Sequence, residues 1–216
     1  MCERFAIWGC AGHAKVLASL VSMRGGRVVS LFDNCEVPSV LPGVPVFFGE
    51  AGFDTWAKST SDLSDVIGLV AIGGKRGRDR LVIQGIFRDR GMRLMPIVHP
   101  AASVCATAQL GAGTQVLAQA LVAADVRLGE ACIINHKASI DHECQLGDGV
   151  HVAPGATLCG CIRVGDNVMV GAGSVVLPNL IIGADAMIGA GAVVTKDVPA
   201  GAVIVGNPGR PLPAIL

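Results

Sequence analysis

The chain has 216 residues, of which 51% are apolar and 16% charged, and its 17 basic residues balance its 17 acidic ones. This composition excludes a disordered chain, and a net charge of zero argues against a nucleic-acid partner. No apolar run reaches the roughly 18 residues of a membrane span, and the first residues lack a signal-peptide pattern. We therefore expect no membrane partner and a cytoplasmic location.

Glycine and cysteine are unusually frequent. The chain has 29 Gly and eight Cys, but no Tyr, six Phe and two Trp. Without an export signal or a CxxC pair, cysteines in a chain of this length are expected to be reduced. Charge also differs along the chain: residues 1–97 carry twelve basic and nine acidic residues, and residues 98–216 carry five and eight. This difference predicts two domains with these bounds.

The first elements in the chain predict a small, Rossmann-like parallel α/β domain. A buried strand is predicted at residues 5–8, a tight glycine turn at 9–12 and a helix with one apolar face at 13–23. Further elements follow in the same domain. They are strands at 28–32, 66–72 and 93–98, and a helix at 78–90.

Glycine and polar residues follow three of these predicted strands. Parallel sheets bind ligands at the carboxyl ends of their strands, and a helix that begins behind a glycine turn favours phosphate. The first turn reads GxxG rather than GxGxxG, so NAD is a poor fit, and an ordinary solvated helix start is the alternative. Near the second turn, positive charge comes from Lys75, Arg76, Arg78 and Arg80. The candidate binding residues are Gly9, Gly12, His13, Asp33, Asn34, Gly73, Gly74 and Lys75.

The second half of the chain repeats with a period of six residues. An aliphatic residue stands at every sixth position from Val98 to Val194, without a slip. The next residue is often glycine, as at Gly111 and Gly171. Neither the helix period of 3.6 nor the strand period of 2 explains this pattern, whereas a hexapeptide β-helix does. Its narrow interior would hold the aliphatic residues, and the Gly, Asn or Asp that follows would form a corner at positive φ.

This repeat resembles that of the hexapeptide-repeat acyltransferases, which fold as left-handed β-helices with three hexads per coil. Residues 9–15, Gly73-Gly74-Lys75 and Val98-His99-Pro100 are similar to the branch that acetylates nucleotide-linked amino sugars, and to sialic acid O-acetyltransferases. Cys10-Ala11 departs slightly from the more Gly-rich turn of that branch.

The resemblance implies a homotrimer that binds coenzyme A between its subunits and uses acetyl-CoA as cosubstrate. It also implies that the first domain holds the nucleotide diphosphate of the sugar. The implied acceptor is a 4-amino-6-deoxy sugar linked to GDP or UDP, such as perosamine or a bacillosamine precursor. Sialic acid O-acetylation is the alternative.

Three histidines of the second half are candidates for a general base. A histidine suits the removal of a proton from a sugar ammonium near neutral pH, and a neighbouring carboxylate can orient the ring. The family's active site has an Asn seven residues before a His-Glu pair and a second His nine residues after it. Here these positions are Asn135, His142-Glu143 and His151. The resemblance therefore implies that His142 is the base, with Glu143 beside it, and that Asn135 and His151 contact the substrate. Alternatively, these histidines and His136 merely decorate solvent-facing corners.

Small residues predict a place for coenzyme A. With three hexads per coil, Pro154, Ala172 and Ala190 form one column, whose small side chains leave a shallow groove for the pantetheine arm. The repeat's own need for small residues beside its corners explains them equally well. A backbone N–H near Gly160 would stabilise the thioester oxyanion. Because the groove is open on one side, we expect its second wall to come from a neighbouring subunit of the trimer.

Two other functional classes fit parts of the sequence. Zinc enzymes similar to γ-type carbonic anhydrase use this fold, with histidine ligands at a subunit interface. Here His136, His142 and His151 are spaced to point in different directions within one chain, and the spacing offers no third ligand, so we expect no metal. A noncatalytic sugar-nucleotide-binding protein is expected to have lost His142 or Glu143, and both are present.

Overall fold

The structure, a computed structural model, describes residues 2–212 and divides them into two compact units. The first unit holds the residues up to 72 together with 82–95, and the second holds 73–81 together with the residues from 96 onward. The domains expected from sequence, 1–97 and 98–216, thus differ from these units chiefly in residues 73–81. Residue 1 and residues 213–216 lie outside the described part of the chain.

The first unit is a parallel four-stranded sheet with helices. Its strands lie in the order β3 (Val46–Phe48), β2 (Arg27–Asp33), β1 (Arg4–Trp8) and β4 (Val66–Val70), which confirms the predicted parallel α/β class. The ring-rich core contains Trp8, Phe32, Phe53, Trp56 and Phe87, with neighbouring ring centroids 5.2–6.4 Å apart. The elements are β1 (Arg4–Trp8), α1 (Gly12–Met23), β2 (Arg27–Asp33), β3 (Val46–Phe48), α2 (Gly49–Ser59), β4 (Val66–Val70) and α3 (Gly77–Asp89), the last of which begins within the segment 73–81.

Two features of this unit differ from the sequence prediction. Strand β3 and helix α2 were not predicted, because Val46–Phe48 is only three residues long and α2 contains two glycines. The strand predicted at 93–98 was wrong: Arg93 forms an isolated bridge with Ile67, and Ile97–Val98 belongs to the second unit. An apolar run of this length is compatible with either unit, so its hydrophobicity alone does not assign it.

The second unit is a left-handed parallel β-helix of hexapeptide repeats, as predicted. From Ile97 to Val176, each strand pairs with the strand eighteen residues further on, so that Ile133 pairs with His151 and His151 with Met169. The left hand runs against the usual right-handed crossover preference. The strands of the first few coils are β5 (Ile97–Val98), β6 (Ser103–Val104), β7 (Gln109–Leu110), β8 (Gln115–Val116), β9 (Leu121–Val122), β10 (Arg127–Leu128), β11 (Ile133–Ile134), β12 (Ser139–Ile140), β13 (Gln145–Leu146) and β14 (His151–Val152). They are followed by β15 (Thr157–Leu158), β16 (Arg163–Val164), β17 (Met169–Val170), β18 (Val175–Val176), β19 (Ile181–Ile182), β20 (Met187–Ile188), β21 (Val193–Val194), β22 (Val203–Val205) and β23 (Arg210–Pro211).

The strands form three sheets that surround an aliphatic core. Their orders are β23-β22-β20-β17-β14-β11-β8-β5, β21-β18-β15-β12-β9-β6 and β19-β16-β13-β10-β7. The repeated aliphatic residues from Val116 to Val194 are all buried, and those of the first coil, Val98, Val104 and Leu110, pack partly buried against them. The residue four positions after each aliphatic is also buried in most hexads, as at Ala120, Val126 and Ile162. Two side chains per hexad, one of them always aliphatic, therefore fill the interior.

The corners of the β-helix lie where the sequence did not place them. Every sixth residue from Gly113 to Gly191 has φ between 55° and 68°, and nine of these residues are not glycine. They stand three positions after the aliphatic residue, so the expectation of positive φ directly after it was wrong. Glycines such as Gly111 are required for another reason: a Cβ there would lie 2.3 Å from the Gly129 carbonyl oxygen of the next coil.

Candidate active site

His142 and Glu143 form an exposed pair at one corner of the β-helix. They follow β12, and Glu143 occupies one of the left-handed positions, with φ of 60°. The imidazole Nδ1 lies 3.1 Å from a carboxylate oxygen of Glu143, and the two side chains are 53% and 63% exposed. The His142 backbone N–H donates to the Asp141 carboxylate at 2.8 Å. The pair is thus held by its own corner and faces outward, where it can reach a substrate.

Gly160 lies against the His142 ring, one coil further along. A Cβ at Gly160 would be 2.6 Å from both Cε1 and Nε2 of that ring. Only glycine at position 160 leaves room for the imidazole in this orientation. The sequence predicted Gly160 as a contact of coenzyme A, and the structure gives it this additional role beside His142. The other ring nitrogen of His142, Nε2, points away from the Glu143 carboxylate.

Cys161 is a third chemical group at this corner, and the sequence argument missed it. Its sulfur lies 3.7 Å from the Glu143 carboxylate oxygen and 4.0 Å from His142 Nδ1. Burial, followed by the Glu143 charge, raises the pKa of the Cys161 thiol. The expectation that no third metal ligand is available near His142 was therefore wrong. It considered histidines only, whereas Cys161 stands eighteen residues, or one coil, after Glu143.

His151 and Asn135 form a second group, on strand β14 and just after β11. His151 is only 6% exposed, and its Nδ1 accepts a hydrogen bond from the Gly74 N–H at 2.8 Å. Its Nε2 lies 3.2 Å from Asn135 Nδ2, and Asn135 Oδ1 accepts the His136 N–H. His151 thus binds the second glycine turn, and a ring whose Nδ1 is already an acceptor is poorly suited to be the base.

The predicted site residues fall into two pairs within one chain. His142 and Glu143 follow β12, whereas His151 lies on β14 and Asn135 follows β11. These strands belong to different sheets of the β-helix, and nine residues correspond to half a coil. The structure therefore brings Asn135 to His151 and His142 to Glu143, but it places the two pairs on different faces.

The segment 73–81 packs on the β-helix and binds it through two of its four positively charged residues. Arg80 is fully buried and donates to the carbonyls of Ala131 and Gly149 at 2.9 and 2.6 Å, and burial lowers its pKa to about 10. Arg78 makes a two-pronged ion pair with Asp185. The expectation that these arginines add charge for a phosphate is thus wrong, because both are committed to the β-helix.

The other two cations of this segment differ in whether they are available to a ligand. Arg76 is paired with Asp79, whereas Lys75 is exposed. Gly74 has φ of 70°, and a Cβ at Gly73 would lie in ordinary contact with the His151 ring. Lys75 thus remains the cation of this turn that is best placed to meet an anionic ligand.

In the first unit, the turn after β1 is held by side chains from the end of β2. Gly9 has φ of 108°, and a Cβ there would be 2.6 Å from the Ala71 carbonyl oxygen. Asp33 accepts the Cys10 N–H at 2.8 Å, and Asn34 accepts the Trp8 indole N–H at 3.1 Å. Asp33 and Asn34 thus shape the turn, while Gly12, where a Cβ would meet nothing within 4 Å, begins α1 with open space around it. His13 follows in the first turn of that helix, partly buried.

The predicted coenzyme column is present and exposed. The Gly173 N–H donates to Pro154 and the Gly191 N–H to Ala172, which stacks successive coils so that Pro154, Ala172 and Ala190 align. All three residues are exposed. An open groove of about 640 Å³ lies elsewhere, on the sheet that contains β10, β13, β16 and β19. It contains none of the predicted site residues.

None of the three helices described within residues 2–212 has the length and hydrophobicity to span a bilayer.

Comparisons with known proteins connect this geometry to a family. The family model described as bacterial transferase hexapeptide (six repeats) matches residues 161–196. No curated protein sequence gives a significant match. Among solved structures, perosamine N-acetyltransferase from Caulobacter crescentus, a histidine-to-asparagine mutant in complex with CoA and GDP-perosamine, is 32% identical. The match covers 97% of this chain and 96% of that one, with a TM-score of 0.88.

The chain belongs to the hexapeptide-repeat sugar N-acetyltransferases. The acetyltransferase domain of PglB from Neisseria gonorrhoeae, in complex with acetyl coenzyme A, is also 32% identical, over 98% of this chain and all of that one (100%), with a TM-score of 0.87. WeeI from Acinetobacter baumannii is 26% identical over 96% and 99% of the two chains, with a TM-score of 0.86. Membership of the sugar N-acetyltransferases confirms the resemblance and the predicted enzyme class.

Proposed function

We propose that this chain transfers the acetyl group of acetyl-CoA to the amino group of a nucleotide-linked 4-amino-6-deoxy sugar. The observation that carries the proposal is the exposed His142–Glu143 pair over Gly160, in a chain that matches a perosamine N-acetyltransferase bound to CoA and GDP-perosamine along almost its whole length. Acetyl-CoA is the donor, and GDP-perosamine or a UDP-linked 4-amino sugar is the acceptor.

His142 acts as general base through Nε2. The sugar nitrogen attacks the thioester carbonyl while Nε2 takes its proton, and the Nδ1–H donates to Glu143, which stabilises the imidazolium. Collapse of the tetrahedral intermediate breaks the C–S bond, and the imidazolium returns the proton to the coenzyme A thiolate. The products are the amide and free coenzyme A, and the enzyme regains its starting protonation.

The Gly160 N–H is the proposed oxyanion donor. Among residues 2–212, the structure records no acceptor for this N–H, whereas the neighbouring Cys159 and Cys161 N–H groups donate to Val176 and His142 carbonyls. A donor fixed beside the base is suited to the charge that develops on the thioester oxygen.

A homotrimer is part of the proposal, because one chain leaves the site incomplete. His142 and His151 lie on different faces, and the column of Ala172 and Ala190 is open to solvent. A neighbouring subunit would place the His151–Asn135 pair of one chain opposite the His142 of another, and would provide the second wall for coenzyme A.

The nucleotide is assigned to the glycine turns. In the first unit we propose Gly9, Gly12 and His13, with Asp33 and Asn34 supporting the turn. In the second unit we propose Gly73, Gly74 and Lys75. Asn135 and His151 are assigned to the sugar.

The proposed compartment is the cytoplasm. All eight cysteines are free thiols, the state expected in a reducing compartment.

The test is a thiol-release assay with acetyl-CoA and a panel of acceptors: GDP- and UDP-linked 4-amino sugars, CMP-sialic acid and free sialic acid. We expect coenzyme A release with a 4-amino sugar nucleotide, and mass spectrometry should show one added acetyl group on nitrogen. Release with sialic acid alone would replace the proposal by O-acetylation. No release with any acceptor, while the protein still binds the sugar nucleotide, would favour a noncatalytic binding protein.

A further inference from the structure

Three side chains of different chemistry meet at the proposed catalytic corner. His142 Nδ1, the Glu143 carboxylate and the Cys161 sulfur all lie within 4.8 Å of one another. The separations are 3.1 Å from nitrogen to oxygen, 3.7 Å from oxygen to sulfur and 4.0 Å from nitrogen to sulfur. They come from two successive coils, so the β-helix backbone fixes their spacing.

These separations are close to those of a tetrahedral zinc site. Zinc–nitrogen and zinc–oxygen bonds of about 2.0–2.2 Å and a zinc–sulfur bond of about 2.3 Å require ligand atoms about 3.3–3.7 Å apart. The nitrogen–oxygen and oxygen–sulfur distances nearly match this range, and only the nitrogen–sulfur distance must shorten, by a few tenths of an ångström. Small rotations of two exposed side chains are enough.

The donor set and the surroundings both favour zinc. A thiolate with an imidazole selects zinc over the hard cations magnesium and calcium, which prefer oxygen ligands. A hollow of about 320 Å³ lies beside Cys161 and is also lined by Arg163, Asn179 and Ile181. His142 and Glu143 are 53% and 63% exposed, so solvent can supply a water molecule in the fourth coordination position.

We propose that His142, Glu143 and Cys161 form a zinc site that switches the acetyltransferase off. Zinc would bind Nδ1, and the ring proton would move from Nδ1 to Nε2. Nε2 then carries a hydrogen and can no longer accept the proton of the sugar amine. Cys161 loses its thiol proton to solvent, so one proton is released for each zinc ion bound.

The proposed inhibition by zinc rests on the proposed function, in which His142 is the general base. The proposed binding of zinc does not depend on that function. Because proton and zinc compete for the thiolate, binding should tighten as the pH rises.

The binding test is calorimetric titration of the full chain with zinc chloride, with cobalt(II) as a spectroscopic probe. We expect one zinc per chain and a thiolate-to-cobalt charge-transfer band. Cys161→Ser should weaken zinc binding at least tenfold and abolish the band. The matched control is Cys159→Ser, two residues away and likewise partly buried, which should change neither. Equal binding by wild type and Cys161→Ser, or loss of the band in Cys159→Ser, would overturn the site.

The activity test uses the same variants in the thiol-release assay. Wild type should be inhibited by zinc and recover on addition of EDTA, whereas Cys161→Ser should be as active as wild type without zinc and require at least tenfold more zinc for inhibition. Equal inhibition of both would reject the switch. If no acceptor supports activity, the proposed function fails, but the calorimetric and cobalt results still decide the zinc site.

Discussion

The two units fill their cores with different kinds of side chain. All eight aromatic residues of the chain precede residue 88, and five of them stack in the core of the first unit. The interior of the β-helix holds two small or aliphatic residues per hexad and no ring. A sheet covered by helices can adapt its spacing to large rings, whereas a coil of three short strands has a fixed, narrow interior. Because only two residues in six must point inward, the corners are free to carry reactive groups.

The largest expected effect tests whether a corner of the β-helix carries the catalytic base. His142→Ala should lower kcat by about 10²–10⁴, because it removes the general base. The thermal transition should barely move, since the side chain is 53% exposed. His136→Ala is the matched control and should retain nearly all activity. Activity of His142→Ala within a few-fold of wild type, measured by thiol release, would reject the assignment.

Replacing a glycine by alanine should change the free energy of unfolding in opposite directions in the two units. In Gly111→Ala, the new Cβ would lie 2.3 Å from the Gly129 carbonyl oxygen, so we expect a loss of about 1–3 kcal/mol from overpacking between coils. Gly85 lies inside α3, and a Cβ there meets nothing within 4 Å. Gly85→Ala should therefore stabilise its helix by about 0.5–1 kcal/mol. Thermal shifts of the same sign in both variants would contradict this contrast.

The narrow interior predicts an asymmetry between two adjacent isoleucines. Ile182 is 1% exposed and points into the core, whereas Ile181 is 52% exposed. Ile182→Phe should destabilise the β-helix by about 1–3 kcal/mol, because the coil cannot widen around a ring. Ile181→Phe should change stability little. If denaturant unfolding shows that both variants match wild type, coil geometry does not explain the absence of aromatic residues.

The sequence predicted the β-helix better than the first unit, and the reason lies in redundancy. The hexad aliphatic is repeated seventeen times, so one exception would not hide the period. In α2, only Phe53 and Trp56 are buried, which is too few to reveal a helix. Gly111 shows a different limit: glycine needed for close approach and glycine needed for positive φ look alike in a sequence.

Only part of the candidate site could be predicted from the sequence, namely the part that a local pattern marks. The His142–Glu143 pair is adjacent in the chain, and the family motif marks it. Cys161 lies eighteen residues, one full coil, after Glu143. Its place beside the pair can therefore be predicted only once the eighteen-residue strand register is known. The role of Arg80 could not be predicted, because a buried arginine that binds carbonyls has no local pattern.

The first glycine turn and the proposed pantetheine column should also differ in which cosubstrate they affect. A bulky side chain in Gly12→Leu fits the open space at the start of α1 but obstructs phosphate, so KM for the sugar nucleotide should rise about tenfold, or about 1.4 kcal/mol. Ala172→Trp should raise KM for acetyl-CoA by a similar factor, because it fills the proposed pantetheine column. Each variant is the control for the other. Equal effects on both KM values would mean that the ligands are not assigned to these positions correctly.

The smallest effect is expected from the ion pair of Arg78 and Asp185. Hydrogen bonds, first from Arg78 and then from Asn167, hold the pKa of the Asp185 carboxyl below its ordinary value. A depressed pKa in the folded state means that the stabilisation is present above the ordinary pKa and is lost as the pH falls through the folded-state value. Both side chains are partly exposed, so solvent screens the pair and the effect is small. Asp185→Asn should melt slightly below wild type at pH 7, and the difference should disappear as the pH falls through the folded-state pKa, where the carboxylate becomes protonated in wild type. Arg78→Gln, which removes the partner, should show the same pH dependence; a difference that grows as the pH falls would contradict the assignment.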